Sequence, residues 1–161
     1  MSRPFSVAVY CASSRRIDPV YFEAAEQLGT AMGQRGWRLV FGAGTVGLMG
    51  AVARAVHAAG GNVLGVIPHA LHALEVTYVE CDELIYTDTM RERKALLEQN
   101  SDAFIALPGG FGTLEEVSEI IVARQLGWTT HPLVLLNVDG YWQPLLAFFE
   151  QLETRGFATT I

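Results

Sequence analysis

The chain has 161 residues, half of them hydrophobic and 17% charged, with a formal net charge of −6 at pH 7. That length fits a single domain over residues 1–161, and the composition supports a buried core and excludes a disordered chain. The acidic balance argues against a nucleic-acid binder, and no apolar run reaches the ~18–20 residues a membrane helix needs.

In chain order, Phe5–Tyr10 reads as a buried strand that follows a short start without a signal peptide's apolar core. A cytoplasmic location is therefore expected. Asp18 stands where a helix cap belongs, Pro19 at the first helical position, and Phe22, Ala25, Leu28 and Met32 mark the apolar stripe up to Gly36. Residues 37–41 form a second strand. The glycine-rich stretch 42–50 then enters a helix rich in Ala and Val that ends at Gly60-Gly61. A third strand spans 62–67 and stops at Pro68. Residues 69–78 show no period and are expected to be a loop. A weak fourth strand follows at 81–86. Asp88 or Thr89 caps a helix to about Asn100. A fifth strand occupies 103–107, a helix runs from the 109–113 turn to about Leu126, and a sixth strand spans 132–137. The last helix begins near Tyr141 and ends about Thr154. This alternation predicts an α/β, Rossmann-like parallel sheet of about six or seven strands with helices on both faces. Ligands of such sheets bind beyond the carboxyl ends of the strands, where the strand order reverses.

Chemistry-bearing residues gather at that edge. Pro108-Gly109-Gly110-Phe111-Gly112-Thr113-Leu114-Glu115-Glu116 follows a strand and opens a helix. Glycines there let backbone amides approach a phosphate, the helix start adds free donors, and Thr113 adds a hydroxyl. Gly42, Gly44 and Gly47 match the spacing GxGxxG, but they follow the second strand rather than the first, and no acid lies in residues 60–68. A mononucleotide is favoured over NAD. Arg93 and Lys94, the chain's sole lysine, lie in the first turns of a helix whose start is expected at the same edge. Ser13 and Ser14 suit either a sugar or phosphate contact or a plain turn. Cys11 and Cys81 form no CxxC and read as free thiols. His69 and His72 have no acid or cysteine motif beside them, so no metal site is expected. Cleavage of a glycosidic bond needs a carboxylate near a cationic ribose carbon and donors that hold the phosphate. Glu115 or Glu116, one turn beyond the glycines, and Arg93 meet those needs. Adjacent helix positions point ~100° apart, so the two acids do not flank one bond.

With these residues in place, the chain resembles the LOG ("lonely guy") family of cytokinin riboside 5′-monophosphate phosphoribohydrolases, long mislabelled lysine decarboxylases. The resemblance runs from about Val7 to Phe157. It rests on PGGxGTxxE at Pro108–Glu116, on Met90 followed by Arg93-Lys94, and on the glycine turn 42–50 ending in Gly47-Leu48-Met49-Gly50. The run Leu136–Tyr141 fits the family pattern too. The resemblance implies Arg93 and Glu116 as the catalytic pair. Gly109, Gly110, Gly112 and Thr113 correspond to the phosphate loop, and Lys94 and Glu115 to substrate contacts. Glu75 corresponds by resemblance to a family acid, and Gly44 of the glycine turn and Ser13 at the end of the first strand are expected among the substrate-binding residues. It implies a nucleoside 5′-monophosphate substrate (AMP or N6-isopentenyl-AMP), neither metal nor organic cofactor, and a homodimer without nucleic-acid or membrane partners. The chain departs from the pattern at Ala43, where glycine is usual and the change is mild if φ is negative, and at Val122-Ala123, where Thr-Trp is frequent. Two other readings compete: a non-catalytic nucleotide or molybdenum-cofactor carrier, and a lysine decarboxylase using pyridoxal phosphate on Lys94.

Overall fold

A computed structural model describes residues 3–74 and 77–159. In it, six strands form one all-parallel sheet. They are β1 (Ser6–Tyr10), β2 (Arg38–Phe41), β3 (Asn62–Pro68), β4 (Glu83–Thr87), β5 (Ala103–Ala106) and β6 (Leu133–Leu135). The spatial order is β4-β3-β2-β1-β5-β6. The chain builds outward from β1 to β4 and then returns to place β5 on the other side of β1. The switch point therefore lies between β1 and β5, where Val7 pairs with Ala103 and Tyr10 with Ala106. The expected α/β Rossmann-like architecture is what forms.

Alternation within each strand divides the core between two helical layers. Val7, Val9 and Cys11 face one layer, with α1 (Pro19–Gln34) and α2 (Gly47–Ala58). Ala8, Tyr10 and Phe104 face the other, with Leu97 of α4 (Met90–Gln99) and Val117 and Ile120 of α5 (Phe111–Gln125). The continuous apolar strands β1, β2 and β3 are buried nearly throughout, as expected for a sheet covered on both faces. The edges are less covered: Tyr86 of β4 is 41% exposed and Val134 of β6 is 48% exposed.

Helix starts differ from one another in a way that matters for the site. Asp18 occupies the N-cap of α1, but its side chain makes no capping hydrogen bond, so Pro19 alone carries that start. In α4 the cap is Thr89, whose hydroxyl accepts from the Glu92 amide at 3.1 Å while the Glu92 carboxylate accepts from the Asp88 amide at 2.8 Å. This is a variant of the capping box in which Glu92 reaches the amide one residue before the cap. In α5 the N-cap is Gly110, which has no side chain to cap anything.

Two local expectations are overturned. The stretch after β3 is not wholly irregular: His69–His72 make one helical turn, α3, and Thr77 bridges antiparallel to Gly44. Polar groups explain the second feature, since the Tyr78 amide donates to the Ala43 carbonyl at 2.8 Å and His72 Nδ1 lies 2.7 Å from the Thr77 hydroxyl. Glu75, which corresponds by resemblance to a family acid, lies outside the described residues. Ala43 has φ +58° rather than a negative angle. A left-handed alanine costs about 1–2 kcal/mol, and the fold accommodates it by burying the methyl completely against Gly65, where any added Cβ would come within 2.8 Å. A last helix, α6 (Gln143–Thr154), follows a 3₁₀ turn at Val138–Gly140. Both cysteines are free.

Candidate active site

The switch point opens into a cavity of about 330 Å³. Its walls come from the ends of three strands and from three helices, Met49 being the contribution of α2. Tyr10, Cys11, Ala12 and Ser13 arrive from β1, Gly42 from β2, and Gly110 and Gly112 follow β5. Arg93 enters from α4, and Thr113 and Glu116 from α5. Backbone hydrogen bonds fix this rim. The Ala12 amide donates to the Pro108 carbonyl at 3.1 Å, and the Leu48 amide donates to the Ala12 carbonyl at 2.9 Å. The ends of β1, β5 and the start of α2 are thereby tied together around the opening.

The start of α5 opens into the cavity with its amides uncapped. Its first-turn amides have no intrahelical acceptors, and no side chain caps them. They and the positive end of the helix dipole meet the cavity at Gly110, Gly112 and Thr113. A Cβ on Gly110 or Gly112 would touch no other part of the protein within 4 Å. Gly109 differs: a Cβ there would fall 2.1 Å from Thr113 Oγ1, so this glycine serves the turn that seats Thr113. Tyr141 secures the same turn from outside, donating to the Gly109 carbonyl at 2.5 Å.

Arg93 is held before any ligand arrives. Its Nη2 donates to the Gly42 carbonyl at 2.8 Å and its Nε to the Val66 carbonyl at 3.1 Å. The guanidinium thus spans the ends of β2 and β3. It passes so close to Gly42 that a Cβ there would sit 1.9 Å from Nη2. Glu116 is the only acid in the cavity wall among the described residues. Burial pushes its carboxyl up to about 7, against the opposing pull of Arg93. A carboxyl balanced near neutrality can both take and return a proton at working pH.

The structure does not bring every expected residue into this cavity. Lys94 turns away from it and is clasped by Glu115 at 2.8 Å and Glu119 at 2.7 Å. These carboxylates hold the ammonium above its ordinary range, the Glu115 hydrogen bond contributing most. Glu115 is engaged by the same contact. Gly44 packs beneath Met49, whose Cε would lie 2.7 Å from an added Cβ. Conversely, Tyr10, Met49 and Phe111 line the cavity without an expected site role, and Gly42 lines it where its motif partner Gly44 does not. Phe111 was visible inside the glycine motif, and its ring is 92% exposed at the cavity mouth. Met49 was likewise visible inside the other glycine turn, but nothing in the local sequence marks Tyr10 apart from core residues.

Fold and cavity together define a Rossmann-like α/β protein with an uncapped helix start facing an arginine–glutamate pair at the switch point. The sequence profile of the family described as "Possible lysine decarboxylase" matches residues 49–160. Cytokinin riboside 5′-monophosphate phosphoribohydrolase LOG2 of Arabidopsis thaliana is 45% identical over 99% of this chain and 75% of its own length. LOG7 of the same plant is 48% identical over 97% of this chain and 72% of its own. The chain belongs to this LOG family. Among solved structures, the molybdenum cofactor binding protein of Rippkaea orientalis superposes with a TM-score of 0.74 at 26% identity, covering 94% of this chain and 87% of that one. The molybdenum cofactor carrier protein of Chlamydomonas reinhardtii gives a TM-score of 0.76 at 24% identity over 94% and 86%, a likeness of fold.

Proposed function

We propose that this protein hydrolyses the N-glycosidic bond of an adenine nucleoside 5′-monophosphate, releasing the free base and ribose 5-phosphate. The observation that carries the reading is the meeting of Glu116, Arg93 and the uncapped start of α5 in one cavity. Its volume falls at the low end of the range of about 300–1,000 Å³ usual for small-molecule sites. The 5′-phosphate occupies the amides of Gly110, Gly112 and Thr113. Arg93 orients the ribose and phosphate oxygens with a planar fork of donors. As the C1′–N bond lengthens, positive charge grows on the ribose, and the Glu116 carboxylate stabilises it. Glu116 then takes a proton from the attacking water as the new C1′–O bond forms. The departing base recovers a proton from solvent, so the reaction balances with water alone. Support also comes from relatives whose names state this activity on cytokinin riboside monophosphates. An AMP-hydrolysing activity and one toward N6-prenylated AMP both fit this chemistry.

The decarboxylase reading fails on Lys94. A Schiff-base lysine must offer a neutral amine, whereas Lys94 is held as an ammonium between two carboxylates. The carrier reading leaves Glu116 without a purpose, because an acid beside a bound phosphate only weakens anion binding. Incubation of the purified protein with AMP and with N6-isopentenyl-AMP tests the proposal. Free base and ribose 5-phosphate in equal amounts are expected. Tight binding of both nucleotides without product would replace it with the carrier reading.

We further propose a homodimer that covers the outer face of α5 and α6. Helix α6 carries Leu145, Leu146, Phe148, Phe149 and Leu152 yet contains no buried residue. Phe148 is 53% exposed, Phe157 80% and Trp128 76%. Phe148, Phe149, Leu152 and Phe157 line an apolar groove of about 380 Å³ along α5. A patch of that kind signals a protein partner. Light scattering at micromolar concentration should give twice the mass of one chain, and a monomer would contradict the assignment.

A further inference from the structure

Behind Glu116, on the side away from the main cavity, lies a second and much smaller chamber between α4 and α5. Its volume is about 10 Å³, enough for one water molecule. Every wall but one is polar: Tyr10 from β1, Lys94 and Glu98 from α4, and Glu116 and Glu119 from α5, with Ile120 closing it. Tyr10 and Glu116 are the two residues that line both the chamber and the main cavity. The Tyr10 ring is stacked on Phe104, with centroids 6.1 Å apart, and the residue is only 5% exposed. Its hydroxyl makes no hydrogen bond to the protein among the described residues, and its oxygen is not fully enclosed, since Tyr10 lines both the chamber and the main cavity. A phenol oxygen that has no protein partner but opens onto cavity space takes its hydrogen bonds from water.

We propose that Tyr10 is a positioning residue for Glu116, acting through one water molecule in this chamber, and that this water carries the proton of Glu116 out to Glu98. The inference rests on the hydrolytic reading above. When Glu116 has taken a proton from the attacking water, its O–H donates to the chamber water. That water passes one of its own protons to the Glu98 carboxylate, which has no ion-pair partner among the described residues, and Glu98 releases it to solvent. Glu116 returns to the carboxylate and the water is regenerated. Tyr10 donates to the water throughout and thereby holds its orientation. The phenol suits this role because burial, with the Glu116, Glu98 and Glu119 carboxylates, raises its ionisation far above the ordinary value, so the O–H persists. Lys94 serves the same device by pinning Glu119 in the chamber wall and Glu115 beside it. The charged groups that face Glu116 are thus Arg93 and Lys94 from α4 and Glu115 and Glu119 from its own helix.

Tyr10→Phe keeps the ring against Phe104 and removes only the hydroxyl. Turnover of AMP and its pH profile are measured for wild type, Tyr10→Phe and Glu98→Gln. In Tyr10→Phe, kcat should fall about tenfold with KM unchanged. The rising limb of the profile should move to higher pH, because the ionised Glu116 loses a water-mediated donor. In Glu98→Gln, kcat should fall with little change in the limb. A Tyr10→Phe profile that overlays wild type would overturn the inference. So would an equal loss at every pH joined to a raised KM, which marks a merely structural ring. If Tyr10→Phe does not fold, an unchanged kcat in Glu98→Gln overturns the proton path by itself. Wild type that releases no base would sink the hydrolytic reading instead, and the inference with it.

Discussion

The two glycine-rich turns at the ligand edge have similar composition and opposite relations to the rest of the protein. In the turn after β2, glycine is required by neighbours inside the chain. A Cβ on Gly42 would meet Arg93, one on Gly50 would lie 2.0 Å from the Thr45 carbonyl, and Gly47, at φ +67°, lies against the Ser13 backbone. In the turn after β5, Gly110 and Gly112 have no neighbour that a Cβ would reach. Their freedom from packing leaves room that a ligand can fill. A run of glycines therefore specifies close approach, and only the fold tells whether what approaches is the protein itself or its substrate.

The largest effects should come from the two side chains that lie beside these turns, Arg93 of α4 against Gly42 and Glu116 of α5 one turn beyond Gly112. Arg93→Ala and Glu116→Ala should each lower kcat/KM for AMP by about 10³-fold or more. They should part company in thermal unfolding. Arg93→Ala loses hydrogen bonds to Gly42 and Val66, a cost of about 1–2 kcal/mol, whereas Glu116→Ala removes a half-buried charge and should not destabilise. Near-normal turnover in either variant would refute the assigned roles.

Next in size is Gly42→Ala. Its methyl displaces the Arg93 guanidinium, and a misplacement of that order costs about 10²-fold in rate. A lowered melting temperature should accompany it. Gly112→Ala probes the other turn. With no protein atom to strike, it should leave stability unchanged or raise it by up to about 1 kcal/mol, alanine being the better helix former. Its methyl enters the phosphate cradle, so KM for AMP should rise severalfold. An unaltered KM would place the phosphate elsewhere.

The effect most reduced by solvent lies in pH dependence. The folded-state value for Glu116 is raised, so folding favours the protonated form. No penalty applies well below pH 4.5, and it grows until pH passes about 7. Against Glu116→Gln, wild type should lose stability across that window. The full shift is worth about 3 kcal/mol, and the solvent-open cavity above the carboxyl reduces it. Denaturant titrations at pH 4 and pH 8 should show wild type weakening relative to the variant, and an unchanged gap would mean that Glu116 is well solvated.

Much of this was legible in the sequence, for physical reasons that also set the limit. Strands β1 to β3 are covered on both faces, so their apolar runs are continuous and their ends are marked by turn residues. Arg93, Glu116, Gly110, Gly112, Thr113 and Ser13 converge because parallel strands put all their carboxyl ends on one edge. Periodicity reports burial but not which partner a side chain meets across long separations. Lys94 and Glu115 looked equally available to substrate, and only the crossing of α4 and α5 shows that they hold each other. Tyr10 reads as one more apolar strand residue, and its tie to Glu116 spans most of the chain. Ala43 looked like a harmless exchange because backbone sign is set by the Gly44–Thr77 bridge and the space beside Gly65, neither of which is local.

Arg93 is tied to two strand ends through its own donors, and this separates its history from that of Glu116. A descendant of this protein that abandoned hydrolysis would still lose cohesion at the sheet edge on losing the arginine. It would gain stability on losing the acid. Among proteins sharing this scaffold, the arginine should therefore outlast the reaction, and the residue at the position of Glu116 is the informative one when deciding which of them still turn over substrate.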